Sequence, residues 1–301
     1  MLNPTPTLKS TLKALLYLAP LLVLTAVFIL WPLLNAFLIC LYTKYNYYTG
    51  HVGALGWANF SYLWHDPVFH LAARNTLLLV LVAVPLSVAL ALAIALGINQ
   101  IPRLAGFFQT VYFLPFVTST VAIGLVWNWI FRLDGGLLNR LLNLLHIPAI
   151  DWLNDPHYSL AALIIVCIWQ GLGFNIILFL AGLNHIDHRF ARAAELDGAS
   201  DWQRFTNVTW PLLMPITILV IVNTSITNFK VFDQVYVLFH GAAGPGDADL
   251  TLMVYLYQKF YVENQMAVAA ACGVVFFLCV SALTLITVGY FHHRQRQLGG
   301  R

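Results

Sequence analysis

Asp187-His188-Arg189-Phe190-Ala191-Arg192-Ala193-Ala194-Glu195-Leu196-Asp197-Gly198-Ala199-Ser200 is a polar island between two apolar runs, 159–181 and 212–238, each long enough to cross a bilayer. Asp187 is a short acceptor of the kind that caps a helix N-terminus, and Phe190 to Leu196 follow with helix-favouring Ala, Arg and Glu. Gly198 supplies the left-handed residue that commonly ends a helix. Ser200-Asp201-Trp202-Gln203 has the form of a capping box, so a second helix is expected to begin there. Pro211 and Pro215 are expected to separate that helix from the next apolar run. The sequence thus predicts a helix–Gly–helix elbow, about 182–211, projecting from a membrane.

The rest of the chain fits that setting. It is 60% hydrophobic and only 9% charged, with a mean hydropathy of +0.78, which excludes an ordinary water-soluble globular protein. Apolar runs of spanning length fall at about 14–38, 76–98, 107–131, 159–181, 212–238 and 267–291, and only the fifth contains Asp, Glu, Lys or Arg (Lys230 and Asp233). Buried helices of a soluble core would need polar faces toward water, and these runs have almost none. The expectation is an all-α integral membrane protein: one transmembrane domain over 1–301, with six spanning helices. The first run is too long for a signal peptide and lacks a small-residue cleavage site, so it is expected to be retained.

Charge sets the orientation. With both termini in the cytoplasm, nine basic and four acidic residues lie inside, against six basic and eight acidic outside, counting Lys230 and Asp233 as outer. That satisfies the positive-inside tendency and places the elbow in the cytoplasm.

Enzymatic and metal chemistry find little support. Cys40, Cys167, Cys272 and Cys279 lie in or beside apolar spans without metal-type spacing, and read as buried structural thiols. The ten histidines are scattered, and His292-His293 beside Arg294 reads as an interfacial tail. No Walker A loop, H-E-x-x-H or G-x-S-x-G occurs, so nucleotide-driven work needs a partner to hold ATP and Mg, and no cofactor is expected in this chain. A membrane enzyme would show convergent His, Asp or Glu at one face, and a self-contained carrier would show internal repeats. Neither is present, and nothing points to nucleic acid.

Arg192-Ala193-Ala194-Glu195-Leu196-Asp197-Gly198-Ala199, then Phe205 and Val208-Thr209-Trp210-Pro211-Leu212-Leu213, resembles the "EAA" loop of membrane subunits of binding-protein-dependent ABC importers. Two departures stand out: Arg192 occupies the motif's leading Glu position, and Asp187 the place of a usual Pro. Weaker features occur in family order, among them Gly56-Trp57-Ala58-Asn59-Phe60, Phe113-Leu114-Pro115, Trp127-Asn128-Trp129, Gly135-Gly136-Leu137, Trp169-Gln170-Gly171 and Phe232-Asp233-Gln234. Together they resemble the first permease subunit of sugar or glycerol-phosphate importers. The resemblance implies a bacterial inner-membrane permease that supplies half of a translocation path. Its implied partners are a second permease subunit, an ATPase dimer, an extracytoplasmic substrate-binding protein and the lipid bilayer. Arg192, Ala193, Ala194, Glu195, Asp197, Gly198 and Ala199 would then couple to the ATPase.

Polar groups at membrane depth are costly unless they face a cavity or another helix, so they are the candidates for a substrate path. The fifth run is richest in them, and Asn223, Asn228, Phe232 and Asp233 are singled out, with Asn228, Phe229, Phe232 and Asp233 sharing one face of a continuous helix. Trp127, Asn128, Trp169, Gln170 and Asn175 rank second. Amides and hydroxyls suit a polyol's hydroxyls and aromatic faces its C–H surfaces, so a neutral sugar or polyol is preferred to a glycerol phosphate. The competing reading makes these groups interhelical glue, and Lys230 and Asp233, three apart, are read as pairing with each other near the outer interface. Pro85, Pro115 and Pro215 are possible kinks that open a cavity.

Overall fold

The computed structural model describes the backbone of residues 8–46 and 49–299. The side chains of Lys9, His188, His292, His293, Arg294 and Arg296, and all of Arg301, lie outside the described residues, so the charge and tail readings that rest on them do too. The chain falls into two compact units, residues 1–66 with 256–276, and residues 67–255 with 277–301.

The smaller unit holds α1 (Leu8–Thr25) and α2 (Trp31–Ile39), joined through a π turn at Ala26–Leu30. Leu12–Ile39 forms one candidate span, and none of its residues is buried, as befits a helix whose surroundings are apolar. Antiparallel bridges Tyr42–Leu55 and Tyr45–Val52 follow, then α3 (Ala58–His65). Asn59 of α3 donates to the Cys40 and Tyr42 carbonyls, both at 2.8 Å, which fastens α3 to the end of the first span. Lys259, in a π turn at Gln258–Val262, is buried against Glu263 (2.8 Å), the Tyr62 hydroxyl (3.2 Å) and Asp66 (3.7 Å). A buried ammonium is tolerated only with such partners.

The larger unit is built on α4 (Pro67–Asn99), α8 (Ser159–His185) and α11 (Trp210–Phe229). Asp66 is extended because its neighbour Pro67 disfavours the helical region there, and Pro67 then opens α4. Ala91, Ala95, Ile98, Ile176, Phe179, Leu180, Leu213 and Val220 form the core among these three helices. Small residues permit the close approach. A Cβ on Gly182 would crowd Leu213 and Ile216, and one on Gly173 would run into the Tyr112 backbone.

Two expected spans are not continuous. The third is split into α5 (Ala105–Val117) and α6 (Thr120–Ile130), bent by 99° at Thr118–Ser119. Pro115 removes a ladder donor, and the Thr118 hydroxyl closes the end of α5 by donating to Leu114 O at 2.7 Å. The fifth ends at Phe229 rather than 238, and Lys230 to Phe232 leave the helix before α12 (Asp233–Leu238) resumes. The Thr251 hydroxyl donates to Val231 O at 2.8 Å and holds that break. Asn228 and Phe229 therefore do not share a helical face with Phe232 and Asp233. Among the described residues Lys230 and Asp233 form no ion pair, and both are exposed. Counting the bent pair as one, the described residues hold up to six helices long and apolar enough to span a membrane.

Pro211 does not separate the elbow from the fifth span. Helix runs from Asp201 to Phe229 through a π turn at Phe205–Thr209, where Trp210 N–H bonds back to Phe205 O. That wider turn lets the ladder pass the position where Pro211 offers no donor. Three of the four cysteines are buried, but Cys279 is exposed.

Candidate functional site

Beside both breaks lies a cavity of about 130 Å³. Its walls come from α8 and α11, with Ser87 of α4, Phe116 of α5 and Gln234 of α12. Asn175, Asn223 and Asn228 line it, joined by Gln170, Thr224 and Thr227. No charged side chain does.

The polar groups are already ordered. Thr224 donates its hydroxyl to Asn175 Oδ1 (3.2 Å), and Asn228 Nδ2 donates to the Thr224 carbonyl (2.8 Å). Gln234 Nε2 donates to Gln170 Oε1 (3.0 Å), and Gln170 Nε2 to the Thr120 hydroxyl (3.3 Å). Thr120 lies just past the break in the third span and Gln234 just past that in the fifth, so Gln170 of α8 ties the two interruptions together. Phe116 and Phe174 stack on the same wall, centroids 4.9 Å apart. The result is a small neutral chamber of amides, hydroxyls and aromatic faces, able to exchange hydrogen bonds with a polyhydroxylated ligand.

Other sequence candidates lie elsewhere. Phe232 stacks on Tyr236 and Asp233 is exposed; neither lines this chamber. Trp127 packs against Phe131 and Trp169, with its indole nitrogen buried and unpartnered among the described residues. Asn128 donates to Gly124 O and lines a second cavity of about 520 Å³ with Arg132, Asp134, Asp151, Asn154 and His240. Sequence reasoning missed Ser87, Phe116 and Phe174, since one serine or phenylalanine in an apolar run carries no signal of facing a cavity.

At the opposite end of α8 the elbow is α9 (His188–Leu196) and α10 (Asp201–Arg204). Asp187 caps α9 by accepting from Arg189 N–H at 2.9 Å. Gly198 has φ +75°, and Ala199 N–H returns to Ala194 O at 3.0 Å. Ser200 and Gln203 close a reciprocal capping box. Arg192, Ala193, Glu195, Asp197 and Gly198 are exposed, while Ala194 and Ala199 are half-buried. Phe190, Leu196 and Trp202 also stand in the open at 55, 89 and 71% exposure.

One buried carboxyl stands outside both features. Asp249, in the loop after α12, is wholly buried, and none of its oxygens nor Ser159 Oγ reaches hydrogen-bond geometry among the described residues. Burial pushes it up to about 7, offset in part by the nearby Ser159.

Residues 85–297 match the family described as binding-protein-dependent transport system inner membrane component. The chain is 35% identical over 286 residues, 94% of each chain, to the lactose transport system permease protein LacF of Rhizobium radiobacter. It is 31% identical to the arabinooligosaccharides transport system permease protein AraP of Bacillus subtilis, over 91% of this chain and 86% of that one. Its fold matches a chain of a bacterial ABC transporter involved in import of the acidic polysaccharide alginate, with TM-score 0.79 and 21% identity over 96% of both chains.

Proposed function

This chain belongs to the binding-protein-dependent transport system inner membrane component family as a permease subunit, not an enzyme, of an ABC importer, and we propose that it forms half of the path for a neutral sugar or polyol. The chamber carries this reading: every polar group on its wall is an uncharged amide, hydroxyl or thiol. A phosphorylated substrate would favour Arg or Lys there, and none lines it. The sugar-permease names of the relatives point the same way.

A substrate-binding protein delivers the ligand at the side of α12 and the loop that follows it, and a second permease subunit supplies the other half of the path. An ATPase dimer, holding ATP and Mg, receives the elbow through Arg192 to Ala199, with both termini on its side in the cytoplasm. Thermal-shift screening of the cognate binding protein against sugars, polyols and glycerol phosphates tests the substrate class; stabilisation by the phosphates alone would overturn it.

Asn228→Leu is expected to leave assembly intact and depress uptake several-fold. It removes hydrogen-bonding capacity at little change in volume, worth roughly 0.5–1.5 kcal/mol for one bond. Asp233→Asn should transport like wild type, because Asp233 is exposed and outside the chamber. Proteoliposomes at saturating binding protein separate translocation from capture. The reverse ranking would move the substrate contact out of the chamber.

Arg192 makes no ion pair among the described residues and is exposed, so its charge is available to a partner. An ATPase that accepts Arg where the family pattern carries Glu should meet it with an acidic or neutral group. Arg192→Glu is then expected to weaken co-purification of the ATPase; stronger co-purification would refute the pairing.

A further inference from the structure

Helix α7 (Leu137–Leu144) belongs to neither the chamber nor the elbow. Leu137, Leu141 and Leu144 recur at i, i+4 and i+7, and Leu145 continues their side; their exposures are 44, 50, 75 and 69%. The opposite side carries Asn139, only 2% exposed. Its amide donates to the Arg132, Leu133 and Ile150 carbonyls, and its Oδ1 accepts from Ile150 N–H and Trp152 Nε1, all within 2.9–3.3 Å. A side chain so fully engaged fixes the rotation of the helix. The leucines are therefore held outward and cannot roll under, and a cluster of this kind is covered by something apolar.

Depth and charge say what covers it. The Asn139–Trp152 bond ties α7 to a row of rings, Phe131–Trp152–Tyr158, with centroids 5.8 and 6.1 Å apart. Phe131 follows the last residue of α6, and Tyr158 precedes the first of α8. Trp and Tyr gathered at span ends mark the boundary between hydrocarbon and water. Arg140 is exposed and flanks the leucines, roughly 40° around the helix from Leu144. Leucines downward with a cation at their edge is the pattern of a helix lying in a lipid surface.

We propose that α7 is an interfacial anchor. Its leucine face lies in the anionic phospholipid surface at the end of α8 away from the elbow, with Arg140 among the phosphates. The inference needs the chain to be membrane-embedded and is independent of its substrate.

The test uses the assembled transporter in phosphatidylcholine–phosphatidylglycerol vesicles, part of whose lipid carries a nitroxide quencher. Cys279→Ser removes the exposed native thiol, since Cys40, Cys167 and Cys272 are buried. Leu144→Cys and, as a second site, Leu141→Cys are labelled with an environment-sensitive fluorophore; Asn143→Cys, exposed on the other side, is the reference. The expected result is blue-shifted emission at 141 and 144, quenched several-fold more by lipid than at 143, which aqueous iodide quenches instead. Arg140→Gln should reduce the lipid quenching when phosphatidylglycerol is present and leave it unchanged in pure phosphatidylcholine. Blue-shifted emission without lipid quenching would mean that a protein subunit covers α7, and iodide quenching equal to that at 143 would mean that water does. Either overturns the proposal.

Discussion

Gly198→Val is expected to depress coupled uptake about tenfold or more while leaving the protein in the membrane at its normal level. Gly198 has φ +75°, the left-handed conformation at which α9 stops and the chain turns into Ser200. A Cβ there would meet no heavy atom within 4 Å, so the substitution does not disturb packing within this chain. The cost is conformational, about 1–2 kcal/mol for an ordinary residue and more for a β-branched one. As 1.4 kcal/mol is a factor of ten, the correct elbow geometry would be depleted about tenfold or more. Asp187 and the Ser200–Gln203 box still cap their helices, so the two short helices persist but at the wrong angle. Under the coupling proposed above, a displaced elbow no longer drives the continuous Asp201–Phe229 helix, whose far end walls the chamber. Asn tolerates the left-handed region, so Gly198→Asn should retain most uptake, with Gly198→Ala between the two. Asp197→Arg, which reverses an exposed charge on the same surface, should also uncouple. Uptake and binding-protein-stimulated ATP hydrolysis in proteoliposomes provide the readout. Normal values for Gly198→Val would defeat the idea, and a Gly198→Asn as damaged as Val would shift the cause from backbone angle to side-chain bulk at the partner surface.

The elbow could be read from sequence because its determinants are local. An Asp, a Gly and a Ser-x-x-Gln each act within four residues of themselves, and the structure uses all three. The interruptions of the spans are of a different kind. Pro85, Pro115 and Pro215 give one and the same signal, yet only the third span breaks within a turn of its proline, while α4 and α11 run on well past theirs. α5 also contains its proline and stops only at Thr118, where the backbone turns extended, and the sequence around Pro115 does not announce that stop. The fifth span breaks between Phe229 and Asp233 with no Gly or Pro at all. The hydroxyl that holds Val231 O comes from Thr251, twenty residues on. Lys230 and Asp233, read as a pair inside a helix, are instead exposed residues of the loop and helix start beyond it. The chamber was half legible for a related reason. Asn175, Asn223 and Asn228 attract attention as polar groups in apolar runs, but only packing reveals that Asn175 and Thr224, 49 residues apart, meet there.

Asp249→Asn is expected to stabilise the protein above neutral pH and to remove most of the dependence of its stability on pH. Asp249 lies outside the spans, wholly buried, with its carboxylate against Gly244, where a Cβ would collide with it. Burial is the larger influence on its protonation and Ser159 the smaller opposing one, which leaves the group titrating at about 7. The unfolded chain ionises it near 3.8. Between those values the unfolded state sheds its proton while the fold retains it, so folding takes up a proton and weakens as pH rises. The loss is absent below the lower value, accumulates between the two and is constant above about 7. At 1.36 kcal/mol per pH unit it reaches about 4 kcal/mol at most.

The consequence reaches the chamber. The loop around Asp249 receives the Asn75 amide on the Asp247 and Leu250 carbonyls and donates Leu252 N–H to Thr76. Through Thr251 it also holds the break at Val231, three residues before Gln234. An ionised Asp249 loosens that hold, so wild-type uptake should decline as the pH on that side rises from 6 to 8, and Asp249→Asn uptake should not. Thermal unfolding from pH 5 to 8.5 gives the direct comparison, with the variant several degrees more stable at pH 8 and nearly level across the range. Gly244→Ala, which crowds the carboxyl whatever its charge, should be less stable at every pH. Equal pH slopes in wild type and Asp249→Asn, or a variant less stable than wild type at pH 8, would show that the folded state stabilises the carboxylate after all.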